Sequence, residues 1–476
     1  MTSVLKPDIC VIGAGSAGLS VAAAAAAFGV DVVLVEQAKM GGDCLNSGCV
    51  PSKALLASAK AAAAEAAGKK VGVDLGPVGV DFARANDHVH AVIAAIAPHD
   101  SEERFEGLGV TVLKEHARFT APDRVLAGET EIRARRFVVA TGSRAAVPPI
   151  SGLDTVPYLT NETLFDLRQA PEHLIVIGGG PIGMEMAQAH RRLGSRVTVL
   201  EAQKALGKDD PELAAVVIDA LRAEGVTILE DTKVAGVEKT GSGVSVTTET
   251  ADGGRNSVEG SHLLVATGRT PTVDGLDLEK AGVAYDRRGI KVDRGLRTGN
   301  RRIYAIGDVT GGLQFTHVAG YHAGLVIRSI LFRLPAKENR DLIPWVTYTS
   351  PELGHVGLTE AEARSRYGDR IKVLQADYAG NDRAQAEGKT TGRLKLIAGP
   401  GGRLIGADIV GTQAGEIVNL LSLAISQKLT MKALAGFVAP YPTLGELVRR
   451  AAISYYSEAP KNPWVRRVVQ FLRFFG

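Results

Sequence analysis

Cysteine is scarce: Cys10, Cys44 and Cys49 are the whole complement in 476 residues. Three thiols exclude a multi-disulfide framework and a Cys₄ zinc centre, so no metal site is expected. No apolar run approaches the roughly 20 residues that a membrane-spanning helix requires. Neither sign of charge dominates. Lys+Arg 55 against Asp+Glu 52 leave a net +3, without the dense basic face of a nucleic-acid binder. A strand beginning at Asp8 leaves no room for a signal peptide, so the cytoplasm is the expected compartment. What remains is an ordinary globular composition, 45% hydrophobic and 22% charged. The length suggests roughly three units at about 150 residues each, with a core large enough to need no staples.

An internal repeat organises the chain. The apolar run 8–12 leads into Gly13-Ala14-Gly15-Ser16-Ala17-Gly18, an alanine-rich helical stretch through Phe28, and a strand from Asp31 to Val35 that ends on Glu36. The same order returns at Leu174–Ile177, Gly178-Gly179-Gly180-Pro181-Ile182-Gly183, a helix to about Leu193, and a strand from Arg196 to Leu200 that ends on Glu201. In both copies the acid lies 18 positions after the last glycine. The first glycine makes the strand-to-helix turn, the second admits a pyrophosphate, and the third packs helix on strand. The phosphates sit on the helix N-terminus, and the acid accepts bonds from a ribose diol. Two such sites imply two dinucleotides. Two segments ending in Thr141-Gly142-Ser143 and Thr267-Gly268-Arg269 look like the closing strand of each unit.

The chemical centre is Gly41-Gly42-Asp43-Cys44-Leu45-Asn46-Ser47-Gly48-Cys49-Val50-Pro51-Ser52-Lys53. Pro51 suits the first turn of a helix, and the alanine-rich run from Ala54 to Ala67 supplies one. Cys49 then lies near a helix N-terminus, where the dipole and Lys53 one turn on favour a thiolate. Two buried structural cysteines would not need this glycine-rich setting. A redox disulfide beside a dinucleotide is the economical reading. Cys10, within the first strand, is expected to pack in the core.

These motifs, GAGSAG, GGDCLNSGCVPSK, ATGS, GGGPIGME, ATGRTP and AIGDV, resemble those of the FAD-dependent pyridine nucleotide–disulfide oxidoreductases of class I, the group that includes dihydrolipoamide dehydrogenase, glutathione reductase and mercuric reductase. The likeness spans about residues 8–460. It implies an α/β fold with two Rossmann-like dinucleotide-binding domains and an α+β C-terminal dimerisation domain. The expected divisions are 1–150 for the first part of the FAD domain, 151–270 for NAD(P)H, 271–344 for a central domain completing the FAD site, and 345–461 for the interface. The resemblance assigns FAD to Gly13, Gly15, Ser16, Gly18, Glu36, Gly42, Asp43, Thr141, Gly142, Asp308, Thr316 and His317. NAD(P)H falls to Gly178, Gly180, Ile182, Gly183, Glu201, Gly268 and Arg269. It pairs Glu185 with Lys53 near the flavin, sets Cys49 beside the flavin, and turns Cys44 toward the substrate. His317 has a second reading, as a capping or packing residue. Glu201 favours NADH, since a carboxylate repels a 2′-phosphate. Arg191, Arg192 and Arg196 nearby leave NADPH disfavoured rather than excluded.

One departure bears on the acceptor. The family's disulfide reductases carry a His-Pro-Thr-x-x-Glu segment that supplies a His–Glu acid/base pair to the partner subunit. Here it reads Tyr441-Pro442-Thr443-Leu444-Gly445-Glu446. A phenol with a pKa near 10 is a poor base at neutral pH, and general acid–base help is worth roughly 10²–10⁴-fold. A tyrosine there resembles mercuric reductase, yet residues 462–476 lack the extra cysteine pair typical of that enzyme. Tyr441 has a plain packing reading as well. The expected function is electron transfer from NADH through Cys44 and Cys49 to a lipoamide-type disulfide, with a metal ion such as Hg(II) second. An NADH:quinone or oxygen reductase and a flavin redox sensor are the other readings. A homodimer is expected, with Tyr441 and Glu446 completing the site in trans. Finally, residues 462–476 place Trp464, Val468, Phe471 and Phe475 on one side of a short helix and most cations elsewhere. Such a basic amphipathic helix either lies on an anionic membrane surface or docks on the protein itself.

Overall fold

The structure, a computed structural model, describes residues 3–476. Runs of aliphatic and β-branched residues buried on both faces make parallel strands. The first sheet has five, in the order Ile303–Ala305, Arg136–Val139, Ile9–Ile12, Val32–Val35 and Thr111–Leu113, all parallel. The helix Ser16–Ala27 covers it. Its small Ala17, Ala22 and Ala25 share one core with Ala319 and Ala323 of the helix Thr316–Phe332. Cys10 is fully buried in this sheet, and burial pushes its thiol far above the usual range.

The second copy follows the same plan. His173–Ile177 lies between Arg196–Leu200 and His262–Val265, with Thr227–Leu229 beyond, all parallel. The two Thr-Gly segments do pair with their glycine strands, but only His262–Val265 is a sheet edge. In the first unit the edge is Ile303–Ala305, which returns from the far side of the second unit. The third unit is a five-stranded antiparallel sheet in the order Trp345–Thr347, Glu352–Gly357, Leu404–Gly411, Arg393–Ala398, Lys372–Asp377. The helices Ala414–Ser426 and Glu446–Ser454 close its core through Leu421, Leu447 and Val448. The expected fold class is thus what the chain adopts.

The cysteine helix starts at Cys49 itself and ends at Ala62. It is shorter than the alanine run suggested, because the chain turns at Ala63 and a second short helix, Ala64–Lys70, buries no residue. Ala54, Leu55 and Ala59 sit in one core with Met184 and Met186 of the helix Pro181–Arg192 and with Leu353 and Val410 of the third unit. One short helix therefore ties all three units to the cysteines.

The segment 462–476 forms the helix Pro463–Leu472, with the Asn462 side chain accepting from the Trp464 N–H at 2.9 Å. Every residue from 456 to 476 is exposed. Docking on the chain's own surface is not observed. No helix among the described residues is long and apolar enough to cross a membrane.

Close backbone approach explains the third glycine of each repeat. A Cβ at position 183 would stand 2.0 Å from the Gly178 carbonyl oxygen, and one at 18 would stand 1.8 Å from that of Gly13. Gly183→Ala is expected to lower stability by about 1–3 kcal/mol through overpacking, read as a drop in the urea midpoint. An unchanged midpoint would mean that this helix–strand contact yields freely.

Candidate active site

The two glycine turns are built alike. Gly13 and Gly178 hold φ of +103° and +110°, a region where only glycine is at ease. A Cβ there would strike the carbonyl of Ala140 or Ala266 at 2.5 and 2.4 Å. Gly15 and Gly180 precede the helices Ser16–Ala27 and Pro181–Arg192. A Cβ on Gly180 would meet nothing within 4 Å, so bare backbone faces open space there, as a pyrophosphate requires. The carboxylates match as well. Glu36 accepts from the Ala14 N–H at 2.6 Å and the Ala38 N–H at 2.7 Å. Glu201 accepts from the Gly179 N–H at 2.7 Å and the Gln203 N–H at 2.9 Å. Each acid is fixed beside its turn, where a ribose would lie.

One continuous cleft of about 1740 Å³ runs through these elements. It is lined by Gly13, Glu36, Cys44, Cys49, Lys53, Ile182, Glu185, Asp308 and Thr316, among others, and by Trp345, Tyr348 and Glu416 of the third unit. The repeat geometry and this volume fit FAD in the first unit.

Gly42 has φ +58°, and a Cβ there would meet the Cα of Gly15 at 2.7 Å. Gly41 N–H donates to the Ala14 carbonyl at 3.0 Å. The cysteine loop is thereby stitched to the first phosphate turn. Cys44 and Cys49 are both free thiols. Cys49 Sγ stands 3.4 Å from Thr316 Oγ1. It opens its own helix and faces the start of the helix Thr316–Phe332. Its thiol is pulled down to about 6, chiefly by a hydrogen bond from Cys44, against burial, and further by Thr316 and the Lys53 charge. The Cys44 thiol is held far above its usual range by the same bond and by burial. The pair thus divides into a proton-poor and a proton-rich sulfur.

Lys53 Nζ donates to Glu185 Oε2 at 2.8 Å. Glu185 is buried, and its other oxygen accepts from the Tyr348 N–H at 2.9 Å. The Tyr348 ring lies under Lys53 Nζ at 4.5 Å. Asp308 accepts from the Ser143 hydroxyl at 2.6 Å, and burial raises its carboxyl. Gly142 has φ +66°, and Thr141 Oγ1 donates to the Thr272 carbonyl at 2.7 Å. His317 Nε2 meets the Pro344 carbonyl at 2.7 Å and its ring stacks on Phe315.

Arg269 is expected beside the second dinucleotide, with Gly268 at φ +121°; its side chain turns toward Asp43, Ser143 and Asp308 around the first nucleotide turn. It pairs with Asp43 at 3.1 Å, donates to Ser143 Oγ at 2.7 Å, and lies 3.7 Å from Asp308. The strand Arg269–Pro271 pairs antiparallel with Ser143–Ala145, which carries the arginine across. Asn161, Ser143 and Tyr348 were not singled out from the sequence. Ser143 sits in the Thr-Gly-Ser turn and was within reach of that motif. Asn161 and Tyr348 arrive from remote connections with no local pattern.

Tyr441 and Glu446 do not reach the cysteines of their own chain, nor do they line its cleft. Tyr441 is 70% exposed and its hydroxyl donates to Asp382 at 3.0 Å. That bond holds the phenol above its usual range. Glu446 faces the Thr443 N–H at 3.5 Å. Leu423 and Val438 are exposed apolar residues of the same unit.

The comparisons with known proteins agree with this layout. Residues 7–323 match the pyridine nucleotide-disulphide oxidoreductase family, and residues 343–452 match its dimerisation domain. A mercuric reductase from Streptomyces lividans is 36% identical over 463 residues, 95% of this chain and 97% of that protein. A dihydrolipoyl dehydrogenase from Bacillus subtilis is 32% identical over 455 residues, 94% of this chain and 98% of that one. The Cu(II) complex of the HOCl-induced flavoprotein disulfide reductase RclA from Escherichia coli superposes with a TM-score of 0.83 at 29% identity, covering 93% of this chain and 98% of that chain.

Two outcomes follow from the geometry. In the dithiol form, thiolate absorbance should rise with a midpoint near pH 6, from Cys49. Cys44→Ala removes the largest cause and should move that midpoint up, toward the ordinary value near 8.5; a midpoint that stays put would reject the assignment. Coenzyme choice is the second. Arg192 is locked on Glu224 at 2.6 Å, Arg191 donates to the Glu224 carbonyl at 2.8 Å, and Arg196 opens the strand whose far end leads to Glu201. With none of them placed for a 2′-phosphate, NADH should exceed NADPH in kcat/KM by at least about tenfold; steady-state kinetics with both coenzymes decides it.

Proposed function

The chain belongs to the pyridine nucleotide–disulfide oxidoreductase family, whose members use FAD and NAD(P)H, and from that premise we propose that its cysteine pair passes electrons from NADH to a soft metal ion. The observation that carries this choice of acceptor is Tyr441, whose hydroxyl proton is engaged by Asp382 and whose phenol is held above its usual range, where an acid ready to release a proton would be needed. Releasing a thiol from a substrate disulfide requires a proton for the leaving sulfur. Reducing a thiolate-bound metal ion requires none. The balance is NADH + Hg(II) → NAD⁺ + H⁺ + Hg(0), or NADH + 2 Cu(II) → NAD⁺ + H⁺ + 2 Cu(I), two electrons in and two out. The mercuric reductase and the Cu(II)-bound relative support the soft-metal class.

Each residue then has a task. The starts of the helices Ser16–Ala27 and Pro181–Arg192 hold the two pyrophosphates, and Glu36 and Glu201 orient the riboses. When bound, FAD would supply the hydride and electron-transfer chemistry between NADH and the sulfurs. Lys53, positioned by the buried Glu185 at 2.8 Å, would place its ammonium group beside a bound flavin. Cys49, its thiol lowered chiefly by the hydrogen bond from Cys44 and further by Thr316 and Lys53, would lie next to a bound flavin. Cys44 carries the exchange with the acceptor. Asp308 and Ser143 bind the ribityl chain. The third unit forms the homodimer, and Tyr441 and Glu446 approach the partner's Cys44 across it.

A lipoamide-type disulfide is the second reading, favoured by Glu446 at its expected place and by the dihydrolipoyl dehydrogenase relative. Anaerobic NADH oxidation with thiol-ligated Hg(II), Cu(II), lipoamide and a quinone separates the readings. Metal-dependent turnover should exceed that with lipoamide, and Cys44→Ser should abolish it while NADH still bleaches the flavin. Tyr441→His should raise lipoamide turnover by about 10²-fold. Fast lipoamide turnover by the unaltered enzyme would overturn the soft-metal assignment.

A further inference from the structure

The helix Pro463–Leu472 and the turn Arg473–Phe475 have no role in the chemistry above. At 100° per residue, Phe471, Trp464, Phe475, Val468, Leu472, Val465 and Val469 fill one continuous sector of about 160°. Arg473 and Arg466 border it on one side and Arg467 on the other. Trp464, Phe471 and Phe475 are 72%, 61% and 74% exposed, so this apolar sector faces solvent. From 459 to 476 the sequence holds Lys461, Arg466, Arg467 and Arg473 and no Asp or Glu. The match to the family's dimerisation domain ends at residue 452, before this element begins.

We propose that this segment docks the enzyme on an anionic lipid surface, lying in the plane of the interface. Charge complementarity selects this occupant. A wide aromatic-rich face rimmed on both edges by arginines seats its rings at the acyl boundary while the guanidinium groups reach up to phosphates. A groove on another protein would leave those flanking arginines without need. The helix is too short to span, so binding is peripheral and reversible. Such docking puts the cleft next to whatever acceptor enters or leaves through the membrane.

The test uses the FAD-loaded full chain with vesicles of phosphatidylcholine containing 30% phosphatidylglycerol, in co-sedimentation. Binding should occur, should fall steeply with salt, and should vanish on pure phosphatidylcholine. Truncation after Lys461 should abolish it, and Arg466→Gln with Arg467→Gln and Arg473→Gln should weaken it at least about tenfold. NADH oxidation in solution and dimer mass should not change. Trp464 emission should shift to the blue on binding. Equal binding by the truncated chain, or no binding by the intact one, would overturn the proposal. So would a truncated chain that becomes monomeric, which would make the segment a contact between copies.

Discussion

The carboxylate of Asp43 anchors the site. It accepts from the Ser47 hydroxyl at 2.9 Å within its own loop and from Asn161 Nδ2 at 2.9 Å, and it pairs with Arg269 at 3.1 Å. Asn161 also donates to the Ser47 carbonyl at 3.1 Å. The loop between the cysteines is thus held by groups from the connections leading into and out of the second nucleotide-binding unit. Electron transfer between two dinucleotides and two sulfurs needs all of them at one place. Asp43 is the point where the three supporting segments meet, next to Cys44 in the sequence. A charged pair of this kind, half-buried and fully hydrogen-bonded, fixes geometry more than it adds stability.

The electrostatics of the sulfurs grow from the same arrangement. Cys49 opens one helix and faces Thr316 at the start of another, so the positive ends of two helix dipoles lie on its side. Lys53 follows one turn later, and the buried Glu185 keeps that lysine in place. Tyr348 completes the clasp with a backbone N–H to the carboxylate and a ring beneath the ammonium. The third unit, known from the family for joining subunits, therefore reaches the cleft as well. The short cysteine helix shares its core with that unit, so motion there would be felt at the sulfur.

Much of this was legible in the sequence because the constraints are local. A glycine where any Cβ would stand about 2 Å from a carbonyl oxygen, and an acid 18 residues later, leave a pattern that any reader of the chain can count. The glycine-bracketed cysteines did the same. What was not legible depends on long-range placement. Arg269 follows a Thr-Gly turn and looks like part of the second site, but the small sheet Ser143–Ala145 with Arg269–Pro271 turns it into the first. Asn161 and Tyr348 stand in connections without a motif. The edge strand Ile303–Ala305 is only three residues long, too short for periodicity to identify its neighbour. The tail's helical stripe was readable, whereas its failure to dock on the chain required the packed structure.

The central claim is that Cys44 and Cys49 form a pair that NADH reduces through the bound flavin. Cys10 is sealed in the core and takes no part. Counting thiols in the denatured holoenzyme before and after anaerobic treatment with NADH tests this directly. The account predicts one reactive thiol per chain in the air-oxidised enzyme, from Cys10, and all three after reduction. Three thiols in both states would mean that the cysteines never pair, and would contradict the account.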